Sequence, residues 1–430
     1  MKELKNMLKN IFKSPIIMVF VLICAFMLPN SINTMSIAFR SAIAVAIGID
    51  KNTENKIVLQ VAINVSSGAD SLAENSKVLS ATGDTVGEAF TSLNLMFGRS
   101  VKLGHTRFVM IGSKISAENV SVFIDRLIRT NKIRNTVQLV YCPNNIDEMF
   151  NMGVKLKSVT GIKLSDIVCH QQTNSTTSIS SNIDSFFKGY LSPSGISKIN
   201  MISISEDYTQ GVSTTSDVGS SSSSDGGSEV GASGGESAEG GTSSSESDVS
   251  NKFISNRGKI AIYSSGILQT VLDEELSSGV NWLSKDYIPQ DLLVKVDNSG
   301  KLKNSIINFD ILNKNVELET FFFKNIPIMS AKILVSLSID EIISENGNKV
   351  PLSYDMIDEG VKNSIGRTIR NKISKVSAKA KNSKLDLFEI NNIFYKSNYY
   401  EYTKRLQEGM KKEDFIENTQ ISVDIEINIR

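Results

Sequence analysis

The sequence predicts an α+β protein: three α/β domains built on mixed or antiparallel sheets covered by helices, following an N-terminal signal or anchor segment. Three observations carry this. Runs with a period of two alternate with apolar stripes at helical spacing on both sides of a polar tract. At roughly 100 to 200 residues per domain, the 430 residues exceed a single ordinary core. Hydrophobic residues at 40% and charged residues at 21% match folded globular chains, which excludes wholesale disorder and a polytopic membrane protein. The 46 basic residues balance 46 acidic ones. That balance leaves no global field to attract nucleic acid, and no nucleic-acid partner is expected.

Residues 1–38 read as a signal peptide or membrane anchor. Lys2, Lys5, Lys9 and Lys13 precede an uncharged run from Ile16 to Leu28, the order of a secretory n-region and h-region. About 13 apolar residues fall short of the roughly 20 that cross a bilayer comfortably, so cleavage and anchoring both remain open. Either route exports the residues from about 40 onward. Cys24 lies inside the run after Val21, Leu22 and Ile23. It lacks the small preceding residue of a lipoprotein box, and no lipidation is expected there.

An N-terminal α+β domain is expected over 40–150. Its first strand, Ala42 to Asp50, turns at Lys51 and Asn52 into a second in which Ile57, Leu59, Val61, Ile63 and Val65 alternate with more polar neighbours. Thr85 and Glu88 have capping-box spacing, and Ala89, Phe90, Leu93 and Phe97 share one helical face up to about Gly98. His105 to Ile111 reads as a strand. Val120, Phe123, Ile124, Leu127 and Ile128 form the stripe of a second helix ending near Asn131, and Thr136 to Cys142 forms a further strand. The helices are expected to cover one face of the sheet.

A middle domain is expected from 155–200 together with 258–312. Between them, 206–252 is expected to be a disordered Ser/Gly/acidic insertion, because such a composition buries too little apolar surface to offset chain entropy. Gly231 to Gly235 matches G-x-S-x-G literally but lacks the strand and helix that a nucleophile elbow requires. After the tract, a hairpin around Ser264 and Ser265 leads to a short helix that opens at Asp273 and carries Trp282. The C-terminal α+β domain, 313–430, shows alternation at Ile333, Val335, Leu337 and Ile339. A helical stripe follows at Ile357, Val361, Ile365, Ile369, Ile373 and Val376, and a last strand alternates from Ile421 to Ile429.

Chemistry-bearing constellations are sparse. His105 and His170 are the two imidazoles, and three cysteines offer neither C-x-x-C spacing nor a disulfide framework. No phosphate-cradling glycine loop is present. No catalytic residue, cofactor or metal is therefore expected. The long C-terminal helix carries Lys362, Arg367, Arg370, Lys372, Lys375, Lys379, Lys381 and Lys384, which read as a solvated face. Arg126, Arg129 and Arg134 gather where cations complement a helix dipole and offer a candidate partner interface.

Taken in order, several segments resemble the Ger(x)C family, the C subunits of bacterial spore-germination nutrient receptors. They are Ala44 to Asp50, including Gly48; Thr85 to Ala89; Gly104 and His105 leading into Phe108 to Gly112; and Phe123 to Arg129 continuing through Ile133 and Arg134. Ala261 to Tyr263, Gly266 to Leu272, Glu275, Trp282 and Leu283, and Asp386 to Phe388 follow. The resemblance implies a non-enzymatic receptor subunit at the outer face of the spore's inner membrane. Its implied partners are two membrane-embedded subunits, one permease-like and a second membrane subunit. Members usually begin with a lipidated cysteine and a Trp-Asp pair, where this chain has Ile32, Asn33 and Thr34. The alternatives from other classes are an exported cell-envelope hydrolase and a solute-binding protein.

Overall fold

Continuous apolarity in the first strand, without polar alternation, requires neighbours on both faces. In the computed structural model that strand, β1 (Ser41–Lys51), is an interior strand of a nine-stranded sheet. The structure describes residues 41–64, 76–131, 133–155, 167, 179–205, 253–255, 258–285, 287–296, 302–344, 346–351 and 357–430. The N-terminal segment 1–38 with Cys24, the tract 206–252 and His170 lie outside the described residues.

β1 pairs antiparallel with β2 (Ile57–Asn64), which pairs with β3 (Ser76–Gly83). On its other side β1 runs parallel to β5 (Phe108–Gly112), with β4 (Ser100–Lys102) beside its first residues. The parallel set continues through β6 (Gln138–Cys142) to β7 (Ile196–Met201). The far edge is an antiparallel hairpin, β10 (Ile260–Ser264) and β11 (Ile267–Leu272). Ser265 and Gly266 turn that hairpin with φ of 50° and 81°, the left-handed pair that two-residue hairpins favour.

Three helices cover one face: α1 (Val86–Phe97), α3 (Val120–Asn131) and α5 (Ile183–Leu191). Their Ala89, Leu93, Ile124, Leu127 and Phe186 share a core with Ile47, Leu59, Val109 and Leu139 of the sheet. Both sequence-expected helices lie within two residues of their expected ends. Thr85 accepts the Glu88 N–H at 3.1 Å, Glu88 reaches back to the Asp84 N–H at 2.9 Å, and Gly98 ends α1 at φ 66°. Both expected helices lie on one face of the sheet, and a further helix covers the other. α4 (Ile146–Lys155) packs Ile146, Met149 and Phe150 on the opposite face, against Ala46, Ala62, Phe108 and Met110. The interleaved residues of β1 and β5 are apolar on both sides, so both faces need cover.

The second sheet holds β12 (Asp291–Lys295), β13 (Ile306–Phe323), β14 (Ile326–Ile343) and β15 (Gln420–Ile429), in that order. α7 (Glu359–Ser383) buries Val361, Ile365, Ile369, Ile373 and Val376 against it. The helix α6 (Glu274–Leu283) lies along α7, where Gly279 admits the Lys372 backbone at close range. Three short helices that the sequence reading did not anticipate follow α7: α8 (Ile390–Ser397), α9 (Tyr399–Gln407) and α10 (Lys412–Asn418). Phe394, Tyr402 and Phe415 hold them together around Phe322.

The stretch expected to form a middle domain is shared between these sheets. β10 pairs with β7, joining residues across the polar tract, and both strands extend the first sheet. β12 and the start of β13 belong to the second sheet. β7 and β10 face two cores at once: Ile199, Ala261 and Tyr263 enter the N-terminal one, and Ile196, Ile260 and Ile262 the C-terminal one. The remaining described sheet is the short pair β8 (Ser203–Ser205) and β9 (Phe253–Ser255).

Candidate functional site

The residues singled out from sequence separate into buried supports and an exposed face. Gly48 is a support. A side chain there would collide with Ile146 and Phe150, so the glycine lets α4 sit directly on β1. Asp50 at the end of β1 accepts the N–H groups of Lys114 and Ile115, both at 3.1 Å. These open the short helix α2 (Ser113–Ser116), so the carboxylate supplies acceptors that the first turn otherwise lacks. Its approach requires Gly112, because a Cβ there would overlap the Asp50 carboxyl. Ser116 of α2 in turn meets the buried Tyr263 hydroxyl at 2.9 Å, fastening β10 to the N-terminal motif. Burial holds that phenol well above its ordinary pKa, and it stays neutral.

His105 does not begin a strand, contrary to the expectation of a strand from His105 to Ile111. Gly104 and His105 form a turn, closed by the Thr106 N–H on the Leu103 carbonyl at 3.0 Å, and β5 starts at Phe108. The His105 ring stands in solvent. Trp282 is buried in the C-terminal core and its indole N–H meets no acceptor among the described residues. Cys142 is a buried thiol whose pKa burial pushes up to about 12, so it is protonated and a poor nucleophile. Among the described residues no three His, Cys, Asp or Glu side chains converge as a metal site. None of the described helices is long and apolar enough to cross a membrane.

Two of the three arginines, Arg126 and Arg129, lie on the outer face of α3. Ile124 and Leu127 of that helix point into the core, whereas Val122, Arg126 and Arg129, spaced by four and three residues, are exposed. Arg126 lies across the neighbouring helix, its guanidinium within 2.8 Å of where a Cβ on Gly87 would stand. Arg129 projects outward, with 77% of its side chain exposed, and its Nε donates to both Asp125 carboxylate oxygens at 2.8 Å. Arg134 is exposed beyond the helix end, where its carbonyl receives the Val137 N–H. The structure thus places Arg126 in the α1–α3 contact and leaves Arg129 and Arg134 facing solvent. Leu95 and Met96 at the end of α1 add exposed apolar surface to the same helical layer.

A second site was not chosen from sequence, although Asp386 lies in one of the resembling segments. The Asp386 side chain is buried and accepts four hydrogen bonds. They come from the Ile390 N–H at 2.6 Å, the Asn391 N–H and side-chain amide at 2.9 and 3.0 Å, and the Ser194 hydroxyl at 2.7 Å. Ser194 belongs to the turn between α5 and β7, so this carboxyl ties the two sheets together. Burial moves its pKa up, against the four donors that favour the ionised form. Alongside, Lys198 of β7 pairs with Glu389 at 2.8 Å, and the lysine holds that carboxyl below its ordinary range. Glu389 sits at φ 57°, a left-handed position unusual for a residue with a side chain. A groove of about 480 Å³ opens beside the pair, floored by Val280, Leu283 and Phe388 and rimmed by Lys285 and Lys396.

The basic residues of α7 are largely engaged. Lys362 meets Glu359 at 2.9 Å, Lys375 meets Glu275, Lys384 meets Glu417 at 2.8 Å, and Lys372 donates to Ser278. These contacts fit a solvated, paired helix face.

Comparison with known families finds two matches that together span most of the chain. Residues 40–205 match the spore germination protein N-terminal domain, and residues 259–430 match the spore germination B3/GerAC like, C-terminal domain. Among solved structures, the crystal structure of the GerBC protein aligns over 89% of this chain and 96% of its own, at 11% identity and a TM-score of 0.46. The search of curated proteins gives no match.

Proposed function

From the premise that this chain belongs to the GerAC-like family of spore germination proteins, we propose that it is a non-enzymatic subunit of a nutrient-germinant receptor. In this reading it acts at the outer face of the spore's inner membrane, held there through its N-terminal segment. It assembles with two membrane-embedded subunits, one permease-like. The observation that carries the reading is the match of both halves of the chain, in order, to the two family domains. The geometry supports a binding role: the supports Gly48, Asp50, Gly112 and Asp386 fix elements in place, while Arg129 and Arg134 stand outside every core. We place the contact with the partner subunits on that arginine face. The protein takes no cofactor in this reading, and its task is to hold and position the other subunits.

The test is genetic and biochemical. Spores lacking this chain are expected to lose germination triggered by the receptor's nutrient and to regain it on complementation. The tagged chain, extracted from spore membranes, is expected to bring the permease-like subunit with it. Full nutrient response in the deletion strain, or purification of the chain without either membrane subunit, contradicts the reading.

A further inference from the structure

We propose that the free edge of β15 is a strand-addition site for an extended segment of another protein in which apolar residues alternate with basic ones. The inference stands on the second sheet alone and does not rest on the receptor reading.

Among the described residues β15 pairs with β14 alone, in an unbroken parallel register from Gln420 to Ile429. In a parallel ladder the N–H and C=O of alternate residues point to opposite sides. The Arg430 N–H bonds to the Leu337 carbonyl of β14, which assigns the even-numbered residues to the paired side. The odd-numbered ones, Ile421 to Ile429, therefore present donors and acceptors to the open side. Arg370 marks this directly: its Nε donates to the Val423 carbonyl at 3.3 Å, standing where a neighbouring strand's N–H would lie.

Natural edge strands are usually blunted by lysine, proline, a bulge or short length. β15 has ten residues and a regular register, and its sequence, QISVDIEINI, contains neither lysine nor proline. The charges it does carry, Asp424 and Glu426, are both acidic, so the edge is guarded against like-charged strands and stays open to basic ones.

The side chains specify what pairs. Ile421, Val423, Ile425, Ile427 and Ile429 turn toward α7 and remain half-buried. Beside them, two grooves of about 380 and 210 Å³ run between α7 and the strand; Ile373, Ala378 and Gly366 line their helix side together with the charged Lys362, Arg370 and Lys381, and the strand's own Ile421, Val423, Ile425 and Ile427 line the other. Every second side chain of an added strand would enter those grooves, which favours apolar residues there. The opposite face is acidic. Asp424 and Glu426 are exposed, and Lys332 of β14 sits among them and Glu317, bonded to Glu426 at 2.7 Å. The outward residues of an added strand lie against Asp424 and Glu426, so basic side chains are favoured. A second copy of the chain fits poorly, because antiparallel pairing of β15 with itself about Ile425 sets Asp424 opposite Glu426, and like charges directly opposite destabilise.

The experiment uses the full chain and a synthetic peptide of alternating Lys and Val, with an alternating Glu and Val peptide as control. The Lys/Val peptide is expected to slow hydrogen exchange of the amides of residues 421–429, and to bind at least about tenfold more tightly than the Glu/Val peptide. Ile425→Pro removes a donor that points off the sheet and should weaken binding about tenfold. If that variant unfolds, the pair Asp424→Lys with Glu426→Lys carries the test and should reverse the preference between peptides. Absence of protection, equal binding of both peptides, or an unreversed preference overturns the proposal. So does slow exchange of these amides in the free chain, which means that a segment of the chain itself covers the edge. Concentration-dependent dimerisation lost in Ile425→Pro overturns it in favour of a second copy.

Discussion

Asp386 and Arg129 are both ionisable, both lie in segments that resemble the same family, and they occupy opposite extremes of burial. Asp386 is buried, receives four hydrogen bonds and joins two sheets, whereas Arg129 is 77% exposed and meets a single exposed partner on its own helix. The difference teaches that a shared motif marks two kinds of position. Where the polar group is dry and saturated it holds the fold, and where it is wet and locally paired its charge is available to another molecule. Asp50 lies between them: it caps α2 with two backbone bonds and is partly exposed.

The largest effect that sharpens the comparison is expected at the buried end. Asp386→Ala strands the Ile390, Asn391 and Ser194 donors in a dry site, and about 3 kcal/mol of stability should be lost by denaturant unfolding. A change below the effect of Asp50→Ala would break the comparison, since burial would then count for nothing. Asp50→Ala is expected to cost about 1 kcal/mol, the usual value of a lost helix cap.

The next effect is pH-dependent. The Lys198 ammonium lowers the Glu389 pKa on folding, so the pair's stabilisation is full above the ordinary glutamate pKa of 4.5 and is lost as pH falls through the folded pKa. Unfolding curves taken from pH 6 down to pH 3, about the acid range of carboxylates, should show part of their slope removed by Glu389→Gln. An unchanged slope means the pair does not couple folding to protons. Asp386 acts with the opposite sign: its pKa is raised, so its contribution is full below the ordinary aspartate value and declines as pH rises through its folded pKa. In Asp386→Asn that opposing slope should disappear.

How much was legible in the sequence follows from how far apart the interacting residues are. The stripe Val120, Ile124, Leu127 and the alternation from Ile421 to Ile429 are local patterns, and α3 and β15 appear where those patterns predict. The turn at Gly104 and His105 was misread because Phe108 to Ile111 is apolar enough to suggest a longer strand, while the closing bond from Thr106 to Leu103 leaves no pattern in composition. α8, α9 and α10 run for seven to nine residues, too short to establish a helical period. The Asp386 node was out of reach for a different reason: Ser194 and Asp386 are 192 residues apart, on either side of the polar tract, and no periodicity links them. The arginine face was half legible. The spacing put Arg126 and Arg129 off the apolar stripe, yet nothing local signals that Arg126 lies over Gly87 on another helix.

The smallest expected effect on stability belongs to the exposed end, and it tests the central claim that folding and docking are carried by different residues. Arg129→Ala with Arg134→Ala should leave the unfolding free energy within about 0.5 kcal/mol of the parent, because an exposed helix pair contributes little. The measurement is capture of the two proposed membrane subunits from detergent extract by the tagged double variant, with its thermal midpoint recorded beside the parent chain. A parental midpoint together with clearly reduced capture of both subunits is the expected result. Parental capture, or lost capture that comes only with a lowered midpoint, would contradict it.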